Sequence, residues 1–128
     1  MTTGRSGATA LAPDISARTW ERFFDEGEPV HALVAVRNER LLGLSHFLYH
    51  RSTTRISDVC YLQDLFTDPT ARGHGIGRLL IEATAEAARR AGSSRLYWQT
   101  QADNRMARRL YDRMARHLGF IVYTRELE

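Results

Sequence analysis

The chain has 128 residues, of which 43% are hydrophobic and 26% are charged, and these proportions predict one soluble globular domain rather than a disordered segment. Residues 1–13 lack the apolar stretch of a secretion signal, and no apolar run approaches membrane-spanning length. The net charge of +3 comes from arginine alone, since the chain has no lysine. We attribute this to a GC-rich bacterial genome, because no groove-reading motif or aromatic platform indicates nucleic-acid binding.

The sequence predicts a flexible tail at residues 1–13 and one domain over residues 14–128. The first predicted element is a short helix that is capped by Ser16 and runs through Phe24. Two strands follow, Val30–Arg37 and Leu41–Arg51, joined by the tight turn Asn38-Glu39-Arg40, and a third strand spans Ser57–Phe66. The single cysteine, Cys60, excludes an internal disulfide. It predicts a small buried side chain and a reducing, cytoplasmic compartment.

The C-terminal half alternates helices and strands. A long amphipathic helix starts near Ile76 and ends at Gly92, and a strand spans Arg95–Gln101. A second helix is then capped by Asp103 and stopped by Gly119, and a last strand spans Phe120–Leu127. This element order predicts an α/β (α+β) domain with a mixed sheet and helices on both faces.

The stretch from Leu65 to Leu80 carries the strongest signal for a binding site. It contains an apolar strand end, a turn, the glycine-rich loop Arg72-Gly73-His74-Gly75-Ile76-Gly77 and the start of the first long helix. Glycines at alternate positions lack Cβ atoms, so backbone N–H groups at the helix start can approach an anion closely. The unsatisfied first-turn N–H groups and the helix dipole favour a phosphate there.

Spacing excludes two familiar phosphate loops. The dinucleotide fingerprint needs G-x-G-x-x-G with an acidic residue about twenty positions on, but here the third glycine comes one residue early and Leu96 to Gln99 holds no carboxylate. The P-loop needs a lysine. The remaining pattern, [RQ]-x-x-G-x-[GA], resembles the pyrophosphate loop of the GNAT superfamily of N-acetyltransferases, which binds acetyl-coenzyme A.

A second motif strengthens this resemblance. Asn104 to Tyr111 matches the N-x-x-A-x-x-x-Y helix of the same superfamily, and Leu118-Gly119-Phe120 matches its L-G-F ending. Asn104, Ala107 and Tyr111 share one helical face. The resemblance implies acetyl-CoA as cofactor, with the coenzyme-binding residues Leu65, Phe66, Thr67, Arg72, Gly73, His74, Gly75, Ile76, Gly77, Arg78, Asn104, Ala107 and Tyr111.

The resemblance also implies the GNAT fold, in which the mixed sheet splays apart to admit the acetyl-pantetheine arm. It covers about residues 28 to 127. Family members usually begin with a strand and helix ahead of Trp20, and many end with a strand beyond the L-G-F strand. The domain is therefore expected to be short at both ends, with an open sheet edge that favours a homodimer by strand pairing. The alternative is that the open reading frame has lost its true start.

The strand before the loop carries the candidate acid–base chemistry. Tyr61 to Phe66 resembles the Y-L-E-D-F-F strand of polyamine and thialysine acetyltransferases, and nearby segments resemble the branch with yeast Hpa-type histone and polyamine acetyltransferases. Gln63 stands where that strand has an acidic residue, and glutamine cannot act as a base. Asp64 is retained, although in a regular strand it points to the opposite face from Gln63. Either Asp64 is an acceptor-binding carboxylate and weak base, or water and His46 or His50 share the task of deprotonating the amine. The further alternative for Asp64 is a buried structural carboxylate.

The resemblance implies Tyr111 as the proton donor to the departing thiolate. The candidate acceptor-site residues are Gln63, His46, His50, Trp98 and Gln101. No metal site is expected, because two histidines four positions apart on a strand lie roughly 13 Å apart. The predicted function is acetyl transfer from acetyl-CoA to a primary amine: a polyamine, an amino acid or a lysine side chain. A non-catalytic acyl-CoA-binding module is the alternative, which Gln63 favours.

Overall fold

The computed structural model describes residues 16–20, by their backbone alone, and residues 30–127. In chain order its elements are β1 (Ser16–Trp20), β2 (His31–Arg37), β3 (Arg40–His50), β4 (Val59–Thr67), a 3-10 turn (Pro69–Ala71), α1 (Ile76–Arg90), β5 (Leu96–Tyr97) and α2 (Arg105–Met114). The predicted tail at residues 1–13 lies outside the described residues. Neither described helix is long and apolar enough to cross a membrane.

The strands form one mixed sheet in the order β1-β2-β3-β4-β5. The first four strands are antiparallel, whereas β4 and β5 are parallel. Asn38 and Glu39 connect β2 to β3 with φ of 51° and 66°, and a two-residue turn with positive φ at both positions matches the twist of the paired strands. The α/β fold with a mixed sheet is confirmed.

Helix α1 packs along one face of the sheet. Its buried side chains Ile76, Leu79, Leu80, Ala83 and Ala88 meet Leu33, Ala35, Leu42, Phe47 and Cys60, which confirms the amphipathic stripe that the sequence predicts. A buried hydrogen bond of 3.0 Å between the Ser45 and Thr84 hydroxyls ties β3 to α1. Because side chains alternate along a strand, His46 points away from α1.

Cys60 and Tyr49 pack in the interface between α1 and the sheet. Cys60 is fully buried, and burial raises the pKa of its thiol to about 11. Burial likewise raises the pKa of Tyr49 to about 12, and the Tyr49 hydroxyl donates to the Ala87 carbonyl at 3.5 Å. The expectation that Cys60 is a small buried side chain is confirmed.

The expected helix from Ser16 to Phe24 is wrong over its first half. Ser16–Trp20 is a strand that pairs with β2, from Ser16 opposite Val36 to Trp20 opposite Ala32. The edge of β2 offers a row of backbone partners, and pairing with it outweighs the local capping signal of Ser16. The rest of the expected helix lies outside the described residues.

Three expectations for the C-terminal part also need correction. Strand β5 is limited to Leu96–Tyr97 instead of extending from Arg95 to Gln101. Helix α2 ends at Met114 rather than at Gly119. Residues 120–127 form no strand, because a strand needs a neighbour to pair its backbone groups and β5 ends too early to supply one.

Candidate active site

A gap opens in the sheet where β4 and β5 part. The two strands pair only at Cys60 with Leu96 and at Tyr61 with Tyr97. Beyond these pairs β4 continues to Thr67, while the segment after Tyr97 leaves the sheet and leads into α2. Among the described residues, no strand pairs with β4 on this side from Leu62 onward. The sequence motifs for the coenzyme lie on the two sides of this gap.

A β-bulge interrupts β4 beside the gap. Asp64 pairs with His46, whereas Leu62 pairs with the next residue of β3, Phe47, so Gln63 is an extra residue without a partner in β3. The expected regular alternation of Gln63 and Asp64 is therefore wrong. Both side chains are exposed, and the alternative of a buried structural carboxylate at Asp64 is excluded.

The bulge brings two candidate residues together. The Nδ1 atom of His46 lies 3.3 Å from Oδ2 of Asp64, on the sheet face away from α1. His50, the other candidate histidine of β3, has a different partner: its Nε2 atom lies 2.8 Å from the Tyr97 hydroxyl. The structure thus pairs His46, but not His50, with the retained carboxylate.

The glycine-rich loop presents an open helix start next to the gap. Gly73 and Gly75 have φ of 85° and 80°, values that favour glycine. Gly75 is the N-cap of α1, makes no side-chain capping bond, and is followed by no acidic residue in the first turn. The first-turn N–H groups are therefore left for an external anion.

Asp68 anchors the front of this loop. Its carboxylate accepts from the Thr70 N–H at 3.0 Å and the Thr70 hydroxyl at 3.1 Å, and Arg40 donates to it at 3.3 Å. The bond from the Thr70 N–H is the main cause that holds the pKa of the Asp68 carboxyl below its usual range. The loop is thus tied to the β2–β3 hairpin before it reaches the glycines.

Arg78 gives a test of whether an anion fits here. It lies in the first turn of α1, and its Nε atom is buried without a hydrogen-bond partner among the described residues. A buried, unpaired donor on a charged side chain is costly, so it indicates a ligand that supplies the acceptor. A phosphate bound to the helix start would be such a ligand, and the residues present fit the coenzyme's pyrophosphate.

Helix α2 lies beside the start of α1, since a Cβ built on Gly77 would lie 3.6 Å from Leu110 Cδ2, and its Tyr111 contacts Trp98, which follows β5. Asn104, not Asp103 as expected, is its N-cap, and the Asn104 Oδ1 accepts from the Ala107 N–H at 3.2 Å. This capping bond uses only the amide oxygen of Asn104, and the side chain is exposed, so its NH₂ group is accessible to a ligand. The small side chain of Ala107 is half-buried on the same helical face.

Tyr111 lies two turns further along that face. Its ring meets Trp98 edge-to-face with centroids 5.4 Å apart, so the residue after β5 orients the phenol. Partial burial raises the pKa of Tyr111, and a raised pKa keeps the phenol protonated at neutral pH. The protonated phenol can therefore supply a proton to a group that reaches it.

Gly43 is a site residue that the sequence did not single out. A Cβ built on Gly43 would lie 2.6 Å from the Phe66 carbonyl oxygen and 2.9 Å from Ile76 Cγ2. Only glycine lets β3, the end of β4 and the start of α1 come this close together. The available signal was weak, namely a lone glycine inside an otherwise apolar strand.

Some expected site residues lie at the edge of this arrangement. His74 faces a cavity of about 70 Å³ beside the β2–β3 hairpin, together with Arg37 and Arg40, and this volume is too small for a coenzyme. Gln101 is exposed, and its carbonyl accepts from the Asn104 N–H at 3.0 Å. Leu65 and Thr67 are half-buried along β4, whereas Phe66 and Arg72 are exposed.

Comparison with known proteins gives one family. A model of the family described as "Acetyltransferase (GNAT) family" matches residues 6–120. A D-amino-acid N-acetyltransferase of Saccharomyces cerevisiae is 30% identical over 91% of this chain and 74% of its own length. A thialysine N-epsilon-acetyltransferase of Caenorhabditis elegans is 34% identical over 68% of this chain and 54% of its own length.

A solved structure extends the comparison to the fold. An integron cassette protein from the mobile metagenome of V. cholerae superposes with a TM-score of 0.73 and 28% identity, covering 81% of this chain and 65% of that one. The chain thus spans less than two thirds of this protein and of the C. elegans relative. The expected resemblance, drawn from the glycine loop and the Asn104 helix, is confirmed.

Proposed function

The chain belongs to the GNAT family of acetyltransferases, and on that premise we propose that it moves an acetyl group from acetyl-CoA directly to a primary amine in a ternary complex. The observation that carries the proposal is the convergence of two features at one gap. The uncapped start of α1, with the unpaired Arg78 Nε, suits a pyrophosphate. The half-buried Tyr111 suits a thiolate that needs a proton.

The two motifs would hold the coenzyme at its two ends. The N–H groups from Gly75 to Arg78 would bind the pyrophosphate, and the Asn104 amide would donate to the pantetheine arm as it passes Ala107. Acetyl-CoA, when bound, supplies an acyl carbon that an amine can attack. Backbone N–H groups near Phe66 and Thr67 would stabilise the negative charge that develops on the acyl oxygen.

Tyr111 would act as the general acid, and Asp64 would lie on the acceptor side of the bulge. The Tyr111 phenol would protonate the departing sulfur. The Asp64 carboxylate, exposed on the face away from α1, would attract the positively charged amine. Because two relatives are named for D-amino acids and thialysine, we add these amines to polyamines as acceptors to test.

A panel of amines tests the proposal. The panel contains polyamines, D- and L-amino acids, thialysine and lysine peptides, and CoA release is measured together with acetyl-CoA binding by calorimetry. Tyr111→Phe should bind acetyl-CoA like the parent chain but turn over about a hundred-fold more slowly, a typical loss for one general acid. Tyr123→Phe, on an exposed tyrosine outside the gap, is the control.

The pH dependence supplies a second test of the same role. A general acid must be protonated, so the rate should fall as the pH rises through the pKa of Tyr111, which burial raises above its usual value of 10.0. This alkaline decline should be absent in Tyr111→Phe. An unchanged profile in the variant would assign the decline to another group.

A non-catalytic acyl-CoA-binding module is the second candidate, and Gln63 favours it, because an amide at the bulge cannot accept a proton. Tight acetyl-CoA binding with no CoA release for any amine of the panel would support this candidate. The same result would exclude the enzymatic proposal.

We further propose a cytoplasmic homodimer. The lone thiol of Cys60 suits a reducing compartment. Among the described residues β5 is the last strand of the sheet, and this edge suits a second copy. The large exposed side chains of residues 118–127 suit one as well: Leu118, Phe120, Ile121, Val122, Tyr123 and Leu127.

A further inference from the structure

We propose that His46 is the base that removes a proton from the acceptor amine, and that Asp64 positions it. This inference rests on the proposed acetyl transfer and identifies the proton acceptor that Gln63 cannot provide. The imidazole would act through Nε2, while the Asp64 carboxylate holds Nδ1.

The geometry of the bulge carries the proposal. The extra residue Gln63 moves Asp64 into register with His46, and the His46 Nδ1 to Asp64 Oδ2 distance is 3.3 Å. The His46 side chain is 27% exposed and that of Asp64 is 58% exposed. An acceptor in solvent can therefore reach the pair, while most of the imidazole surface is held against the sheet.

The pairing also decides which nitrogen of His46 carries the proton. An ionised carboxylate can only accept hydrogen bonds, so Nδ1 must be the donor. In the neutral ring the lone pair is then on Nε2, which is the form that a general base needs. The Asp64 carboxylate would also stabilise the imidazolium that forms.

Few other charges act on His46 among the described residues. Across β2 its partner is Ala32, which has no charge, and across β4 its partner is Asp64. Along β3, Leu44 and Leu48 are the nearest side chains on the same face. His50 lies further along that face, next to Tyr97. Among the described residues, Asp64 is therefore the charged group in contact with the imidazole.

The proton balance of the transfer is complete with these residues. The ammonium gives one proton to His46 Nε2, which later releases it to solvent. The amine nitrogen then forms a bond to the acyl carbon, and the carbon–sulfur bond breaks. In this step Tyr111 donates its phenolic proton to the departing sulfur, and the nitrogen loses its second proton. That proton returns to the Tyr111 phenolate, so the phenol is restored.

Variants of the pair test the proposal in the full chain. With an alkylamine acceptor, His46→Gln should lower kcat about a hundred-fold at pH 7, with the affinity for acetyl-CoA unchanged. The loss should shrink toward pH 10, because an alkylamine of pKa about 10.4 then deprotonates by itself. It should also be smaller for an α-amino acceptor, whose pKa is about 8. A structural role would lower all these rates equally.

Asp64→Asn should reduce kcat less than His46→Gln and should change the tautomer. Nitrogen NMR of the ligand-free protein should show His46 protonated at Nδ1, with a shift toward Nε2 protonation in Asp64→Asn. Asp58→Asn and His117→Gln remove an exposed carboxylate and an exposed imidazole elsewhere and are the controls.

The outcomes separate this inference from the proposed function. If the parent chain acetylates amines and His46→Gln retains its full rate, or loses the same factor at every pH, His46 is not the base and the proposed function stands. An unchanged NMR spectrum in Asp64→Asn would overturn the positioning role. If the parent chain releases no CoA with any amine, the proposed function itself fails.

Discussion

At the scale of single residues, the absence of a Cβ atom at Gly43 allows β3, the end of β4 and α1 to pack closely beside the site. It lies opposite Thr67 in the sheet, where the end of β4 leads into the glycine loop. The nearest atoms to an added Cβ would be a backbone oxygen of β4 and two side-chain carbons of α1, those of Ile76 and Leu80. The position of α1 relative to β4 therefore depends on this glycine.

Gly43→Ala should destabilise the protein by about 1–3 kcal/mol, the usual cost of forcing a methyl group into a packed interior. Chemical denaturation measures this free energy of unfolding. Gly77→Ala is the matched control, because its added Cβ would meet Leu110 at an ordinary 3.6 Å and alanine favours a helix. Equal stability of Gly43→Ala and the parent chain would show that α1 can shift without cost.

Single residues also show where the sequence is sufficient. Asn104 and Tyr111 are recognisable because both belong to one helix, whose period places them on one face. The bulge at Gln63 and the contact of Gly43 depend on residues distant in the chain. No local rule reveals that Asp64 pairs with His46 or that Ile76 lies against Gly43.

At the scale of the element, the start of α2 combines a structural and a binding role in one side chain. The Asn104 oxygen caps the helix by accepting from Ala107, which leaves the amide NH₂ for the coenzyme. Because α2 has no buried residue among those described, its stability depends more on this cap than that of α1 does.

Substitutions of Asn104 can separate the two roles. Asn104→Ser should keep the cap and the thermal stability but weaken acetyl-CoA binding, because serine lacks the amide NH₂. Asn104→Ala should weaken binding and also destabilise the helix by about 1 kcal/mol. Thermal unfolding and calorimetric binding measure both effects. Binding by Asn104→Ser that equals the parent's would leave Asn104 with the cap alone.

The elements that were predicted well are those with a complete local signal. The β2–β3 hairpin has its turn, and α1 has its apolar stripe, so both appear as expected. For β1 and residues 120–127 the local signal predicts the wrong structure, because a strand exists only where a neighbour pairs with it. The edge of β2 was available to β1, whereas β5 offered no long edge.

At the scale of the whole molecule, the exposed apolar residues 118–127 predict self-association. Val122→Asp should convert a dimer to a monomer, since a charge opposes burial between two copies. Light scattering after gel filtration measures the mass. Thr53→Asp, on an exposed loop, adds the same charge elsewhere and should remain dimeric. A monomeric parent chain at all concentrations tested would contradict the proposed homodimer.

Because Cys60 is buried between α1 and the sheet, the reactivity of its thiol measures how often this interface opens. It is the chain's one cysteine, it has no exposed surface, and its raised pKa suppresses the reactive thiolate. A thiol reagent should therefore modify the native protein only when α1 lifts from the sheet. The rate of this labelling measures how often the interface opens, and a bound coenzyme that holds the start of α1 should slow it.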